Sequence, residues 1–235
     1  MLLDAVWILP LAAGVVALVF AGVLGGRFLA RRRPYEAVWI VALVMYAVAS
    51  FALFLGVLDG WSTGEFRVYW ALGAILNVPW LFLGELYLLV GTRWMVDVLL
   101  VILLFLTAFA IAEVRTATLH MDALAKGLPL GKEVFGDGSV SYRLAQFYAY
   151  PAYVLLVGAC GWSAWRMRRR PQLRGGFIGT LLIAVGATVV AVGSGIGAGL
   201  EVVWVFSVGL LAGIAVMFWG FLRASRPMPR PSSAA

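Results

Sequence analysis

The chain has 235 residues, 63% of them hydrophobic and only 12% charged, with a formal net charge of +7. Ordinary soluble domains are roughly half apolar and about a quarter charged, so this composition excludes one. The single cysteine, Cys160, lies in an apolar run, which excludes a disulfide framework or a thiolate metal cluster.

Seven apolar segments follow one another, each near the roughly 20 residues that a bilayer requires. The first, at about 4–26, starts beside Asp4 with no basic stretch before it. It is therefore expected to be an uncleaved first span rather than a signal peptide. The second runs at about 36–58, with Glu36 at its start, and the third at about 67–90. The fourth covers about 94–113 and carries Asp97 near its beginning. Glu36 and Asp97 are expected at the interface, facing headgroups or the loop arginines.

The third span, which includes "GAILNVPWLFLGELYLLVG", carries Asn77, Pro79 and Glu85 among apolar residues. At 100° per residue, Trp70, Gly73, Asn77, Gly84 and Gly91 fall on one face, with Arg67 and Glu85 on its flank. That face should point into the bundle, leaving Phe82 and Leu86 on the side that meets lipid. Arg67 and Glu85 are roughly 27 Å apart along such a helix and cannot pair. A carboxylate at this depth is costly and persists where it faces protein or water. Glu85 is thus expected to face the bundle beside Gly84, protonated or hydrogen-bonded.

Between spans four and five lies one long segment, 114–142, which is either a tolerated insertion or a lid over a ligand. Its "GDGS" at 136–139 separates "EVF" from "SVSY", a pattern that predicts a small β-hairpin. The fifth span, about 143–165, contains "QFYAYPAY", with Gln146, Tyr150 and Tyr153 near one face around Pro151. The sixth, about 176–197, repeats Gly179, Gly186 and Gly193 every seven residues, as a close helix–helix seam in lipid does. Its "GSGIGA" fits a dinucleotide fingerprint on paper but follows no strand and ends a helix, so it is not one. The seventh, about 201–222, carries Trp204, Ser207 and Leu211 on one stripe. The tyrosines and tryptophans form either an interfacial aromatic belt or the lining of a pocket. Residues 224–235, rich in proline and serine, are expected to be a disordered tail.

The basic residues orient the bundle. Thirteen arginines lie in the first, third and fifth connections and the tail, against five basic residues in the other connections. The amino terminus is therefore expected outside and the carboxyl terminus in the cytoplasm of a bacterial cell, in its plasma membrane. The same placement speaks against nucleic acid as a partner.

Little catalytic chemistry is on offer. The one histidine, His120, lies in the 114–142 segment, so no multi-histidine zinc or haem site is expected within the spans. No Ser/His/Asp or Cys/His set can be assembled there. An enzyme, a cofactor and a metal are accordingly not expected.

With seven spans, an outside amino terminus and a third helix with a central proline among leucine and tryptophan, the chain resembles the microbial rhodopsins over Trp70 to Leu89. That resemblance implies a seven-helix bundle. The departures bear on chemistry. Aligned on Pro79, Gly73 and Gly84 stand where proton-pumping members carry carboxylates, and Glu85 is one residue out of register. The only lysines, Lys126 and Lys132, are in the long segment. A retinal Schiff base needs a lysine amine in the bundle, so covalent retinal is excluded. The "FRVYWALGAILNVP" stretch also resembles a family of bacterial seven-span proteins, a likeness that implies no function.

The residues thus point to an all-α, seven-span bundle that carries or senses a small lipophilic molecule. Glu85, Asn77, Trp70, Tyr150 and Ser207 are its ligand-binding or proton-linked candidates. The alternative is a non-catalytic accessory or assembly subunit held by a membrane-protein partner.

Overall fold

The computed structural model describes residues 6–90, 92–168 and 174–224, and every element among them is a helix. In order these are α1 (Ile8–Arg31), α2 (Pro34–Asp59), α3 (Thr63–Val68), a π-helical segment (Tyr69–Leu76), α4 (Asn77–Leu89) and α5 (Arg93–Thr116). Next come α6 (Met121–Leu124), α7 (Gly131–Phe135), α8 (Val140–Met167), α9 (Arg174–Gly199) and α10 (Val203–Ala224). Taking α3, the π segment and α4 as one, seven helices are long and apolar enough to cross a membrane. Helices are the solution lipid imposes, because only they satisfy the backbone of a single span internally. The tail beyond residue 224 lies outside the described residues.

Local signals start and stop these helices. Pro34 sits at the beginning of α2, where its missing N–H costs nothing. Ser62 and Glu65 form a reciprocal capping box ahead of α3, and the Ser139 hydroxyl accepts from the Tyr142 N–H to open α8. The first span starts later than its hydropathy indicates and runs through Arg27 to Arg31. Arginines continue a helix out of the apolar layer by extending their guanidinium groups toward water.

The helices form a ring, α1–α2–third span–α8–α9–α10 and back to α1, with α5 packed outside against the third span and α8. Most of α5 is exposed, including Trp94, Val101 and Phe105. The seam expected along span six is present, and its partner is a second row of glycines on α10. A Cβ added to Gly193 would come within 2.5 Å of the Gly209 Cα, one on Gly186 within 2.6 Å of the Gly213 carbonyl oxygen, and one on Gly220 within 2.8 Å of the Gly179 carbonyl oxygen. Backbones this close gain dispersion contacts, which in lipid replace the hydrophobic effect.

The hairpin expected at "EVF" and "SVSY" is not formed. The first piece lies in α7 and the second opens α8. Gly131, Val134 and Phe135 are all buried, a spacing of three and four that a helix presents to one side and a strand does not. They pack over the membrane-spanning bundle at the end carrying the 117–139 connection, hereafter the loop side. Phe135 contacts Phe66 and Trp70, and a Cβ on Gly131 would overlap the Trp70 ring. Trp61 and Trp70 fasten this connection by donating to the carbonyls of Gly127 and Ser141.

Glu36 also departs from expectation. It is fully buried at the start of α2, accepting a 3.2 Å hydrogen bond from the Tyr35 hydroxyl, while its Oε2 has no partner among the described residues. Its place in the first turn sets the carboxylate near the positive end of the helix. Asp97 is exposed as expected, but its partner is the Tyr87 hydroxyl at 2.6 Å rather than an arginine.

Candidate functional site

The third span is not the regular helix assumed from its spacing. From Tyr69 to Leu76 the backbone is π-helical, and the Asn77 N–H donates to the Leu72 carbonyl, five residues back. Pro79, just beyond, has no N–H to donate to a preceding turn, so the hydrogen-bond ladder is already broken there. Such bulges shift the register of the residues beyond them. Trp70, Gly73 and Asn77 keep a shared face with Ala74, Val78 and Leu81, and Gly84, seven residues beyond Asn77 in the regular α4, lies below it against α2, where a Cβ would overlap the Trp39 ring. Phe82 and Leu86, expected toward lipid, are half-buried against the two core clusters. Side-chain donors hold the span in place. Asn77 Nδ2 donates to the Ala42 carbonyl at 2.7 Å, Trp39 Nε1 to the Leu81 carbonyl at 3.2 Å, and Trp80 Nε1 to Thr107 Oγ1 at 3.1 Å.

The shared face of the third span borders a cavity of about 540 Å³, enclosed by α2, the third span, α8, α9 and α10. That is within the range of sites for drug-sized ligands, about 300–1,000 Å³. Among the described residues, no Asp, Glu, Lys, Arg or His lines it. Its wall is aliphatic and aromatic, with Tyr46, Tyr69, Trp70 and Phe206 prominent, and its floor is made by Leu43, Leu81, Leu156 and Met217. Polar groups are few. The Tyr46 hydroxyl donates to the Leu210 carbonyl at 2.9 Å and the Tyr153 hydroxyl to Thr188 Oγ1 at 3.0 Å. Ser50, Tyr69, Asn77, Tyr142, Gln146, Tyr150 and Ser194 also border the space. Their side chains can hydrogen-bond an occupant.

Of the residues singled out from the sequence, Trp70, Asn77 and Tyr150 line this one cavity, as do Gln146 and Tyr153. Asn77 is 5% exposed and held at its amide nitrogen, while Tyr150 is 67% exposed and forms part of the rim. Glu85 faces the bundle and is 3% exposed, but it does not line the cavity. It lies four residues beyond Leu81, one turn beneath the floor, as the buried Cys160 lies one turn beyond Leu156. Ser207 is completely buried beside Phe206, outside the lining, and its Oγ has no partner among the described residues.

Tyr46 and Ser50 escaped the sequence reading although a signal was present. They are the two hydroxyls of "YAVAS", four residues apart in an otherwise apolar span, and so share a face. The α9 wall, Val190 to Ala198, gives no comparable signal because it is made of small and aliphatic residues.

Comparison with protein-family models, with curated proteins and with solved structures returns no match. Among the described residues, the seven long apolar helices are those of a seven-span membrane protein.

Proposed function

We propose that the protein is a non-catalytic carrier or receptor for a small, uncharged, lipophilic molecule, held in the cavity between α2, the third span, α8, α9 and α10. One observation carries this reading: a space of about 540 Å³ with aromatic walls and no charged group on its lining. An ion placed there would lose its hydration without a counter-charge, whereas a neutral apolar molecule loses nothing comparable. Ser50 and Tyr69 toward the loop side, and Asn77 deeper, supply polar groups that would orient a ligand bearing one hydroxyl or carbonyl. The setting is a bacterial plasma membrane, with the loop side outside as the arginine distribution favours. Glu85 has no place in ligand contact in this reading, and its titration would act through the floor leucines.

The test is equilibrium binding of all-trans retinol, a neutral polyene alcohol, to the protein in nanodiscs, monitored by energy transfer from tryptophan. Saturable binding is expected, lost in Ala74→Phe, which fills the cavity. Retinoate, the carboxylate of the same shape, should bind at least about tenfold more weakly, the equivalent of about 1.4 kcal/mol. Equal binding of retinoate, or no saturable binding of retinol, would contradict the reading. All-trans retinal should form no borohydride-trappable adduct within the bundle, since no span carries a lysine.

The accessory-subunit reading rests on α5, whose long apolar face is covered by nothing in the monomer. Lipid covers such a face equally well. Stable co-purification of one partner that is lost when Val101 and Phe105 are replaced by alanine would favour it.

A further inference from the structure

We infer that the cavity is loaded from the bilayer, through a lateral gap between α8 and α9, and not from water. This inference rests on the cavity being a ligand site. Among the described residues that line it, three are exposed, and they sit on two adjacent helices: Tyr150 on α8, and Val192 and Gly195 on α9. Val192 is 51% exposed, and a Cβ added to Gly195 would meet nothing within 4 Å. The wall is therefore interrupted here.

The depth of this interruption is that of hydrocarbon. Tyr150 lies ten residues into the 28-residue α8, about 15 Å from its loop-side end. Val192 is seven residues, or about 10 Å, from the loop-side end of α9. With roughly 30 Å of hydrocarbon centred on helices of this length, both open onto acyl chains rather than water. Toward the loop side, Phe66, Leu124, Leu128, Val134 and Phe135 are all buried. The α9–α10 wall is sealed by the apposed glycines. On the far side of the gap from the loops, the Tyr153 hydroxyl bonds to Thr188, which in turn donates to the Ala184 carbonyl at 2.8 Å. That bond pins α8 to α9 directly beneath the opening. Pro151, between Tyr150 and Tyr153, removes the helical bond to the Phe147 carbonyl and leaves α8 easier to bend at the rim.

A molecule taking this path never crosses water, which suits a cavity that accepts only uncharged, lipophilic guests. The gap also sets a shape requirement, since the guest must pass narrow end first between Tyr150 and Gly195.

The experiment is stopped-flow mixing of proteoliposomes with vesicles preloaded with all-trans retinol, read by tryptophan-to-retinol transfer. In the wild-type protein the loading rate should follow the retinol content of the bilayer. Gly195→Trp and Val192→Trp, which plug the gap, should slow loading and release alike by about tenfold, as a barrier on the path does. Tyr153→Phe, which frees the pin, should raise both rates. Val48→Trp, on the exposed face of α2 away from the cavity, should change neither. Unchanged rates in both plugging variants with retinol still bound would overturn the lateral route alone, and so would equal slowing by Val48→Trp. No saturable retinol binding in the wild-type protein would overturn the ligand site and the route together.

Discussion

The two sides of α9 carry the same residue type and do opposite things. Gly193 faces α10 and lets the backbones touch, while Gly195, two residues on and about 200° around the helix, borders the cavity and leaves open space. In a membrane a glycine is a seam only where a second backbone comes to meet it. On α10 the matching Gly209, Gly213 and Gly220 supply that second backbone, whereas around Gly195 no atom comes within 4 Å of an added Cβ. Counting glycines along the sequence does not separate the two cases. The residues facing them do.

Substitution should separate the faces sharply. Gly193→Leu should cost about 3 kcal/mol or more, because backbone atoms cannot move aside as a side chain can. Gly195→Leu should stay within about 0.5 kcal/mol, since the added atoms meet open space. Thermal melting in a mild detergent reads both, and similar losses would dissolve the distinction. Gly84→Leu should fall on the costly side, at about 1–3 kcal/mol, because the Trp39 ring already occupies the space.

A smaller effect is expected at Asn77. Replacing it with Leu breaks the bond to the Ala42 carbonyl, at a cost of about 1 kcal/mol in a membrane protein, and should weaken retinol binding by about fivefold through the lost polar contact. Stability loss with unchanged affinity would make Asn77 a tie between α2 and the third span and nothing more.

The smallest effect concerns the connection over the bundle. Lys126 bonds Glu133 at 2.7 Å and lies 3.8 Å from Glu201 at the α9–α10 turn. The Glu133 carboxylate raises the Lys126 amine above its ordinary value of 10.5. A raised pKa in the folded state contributes stability that is complete below the ordinary value and is lost as pH rises through the folded one. Melting of wild type and Lys126→Ala should therefore differ slightly, with no pH trend between about 6 and 9. A trend in that window would assign the tether to another group.

Much of this fold was legible because lipid makes a simple demand. Roughly 20 apolar residues and a helix satisfy it, so all seven spans could be placed, with ends shifted by a few residues where arginines carry helices past the hydrocarbon. The 131–135 segment was misread because alternation over three or four residues does not distinguish a strand from one helical turn. What decides is the surface that Val134 and Phe135 pack on, supplied by Phe66 and Trp70 far away in sequence. The cavity was half legible. Trp70, Asn77, Gln146 and Tyr150 stand out as polar or aromatic residues in apolar spans, whereas Val190 and Ala191 resemble any lipid-facing residue. The π segment was invisible to a fixed 100° step, and Gly84, seven residues beyond Asn77 in the regular α4, lies below the floor against Trp39. Glu85 was correctly turned inward, yet its depth relative to the cavity depends on where Leu81 and Leu156 close the floor.

The most direct test of the cavity is native mass spectrometry of the protein gently extracted from its own membrane, beside Ala74→Phe prepared in the same way. The wild-type spectrum should show one adduct of a few hundred daltons, which extracts into organic solvent as an uncharged compound, and the Ala74→Phe spectrum should lack it at unchanged melting temperature. A wild-type spectrum at the bare mass of the chain, or the same adduct on both proteins, would contradict a ligand held in this cavity.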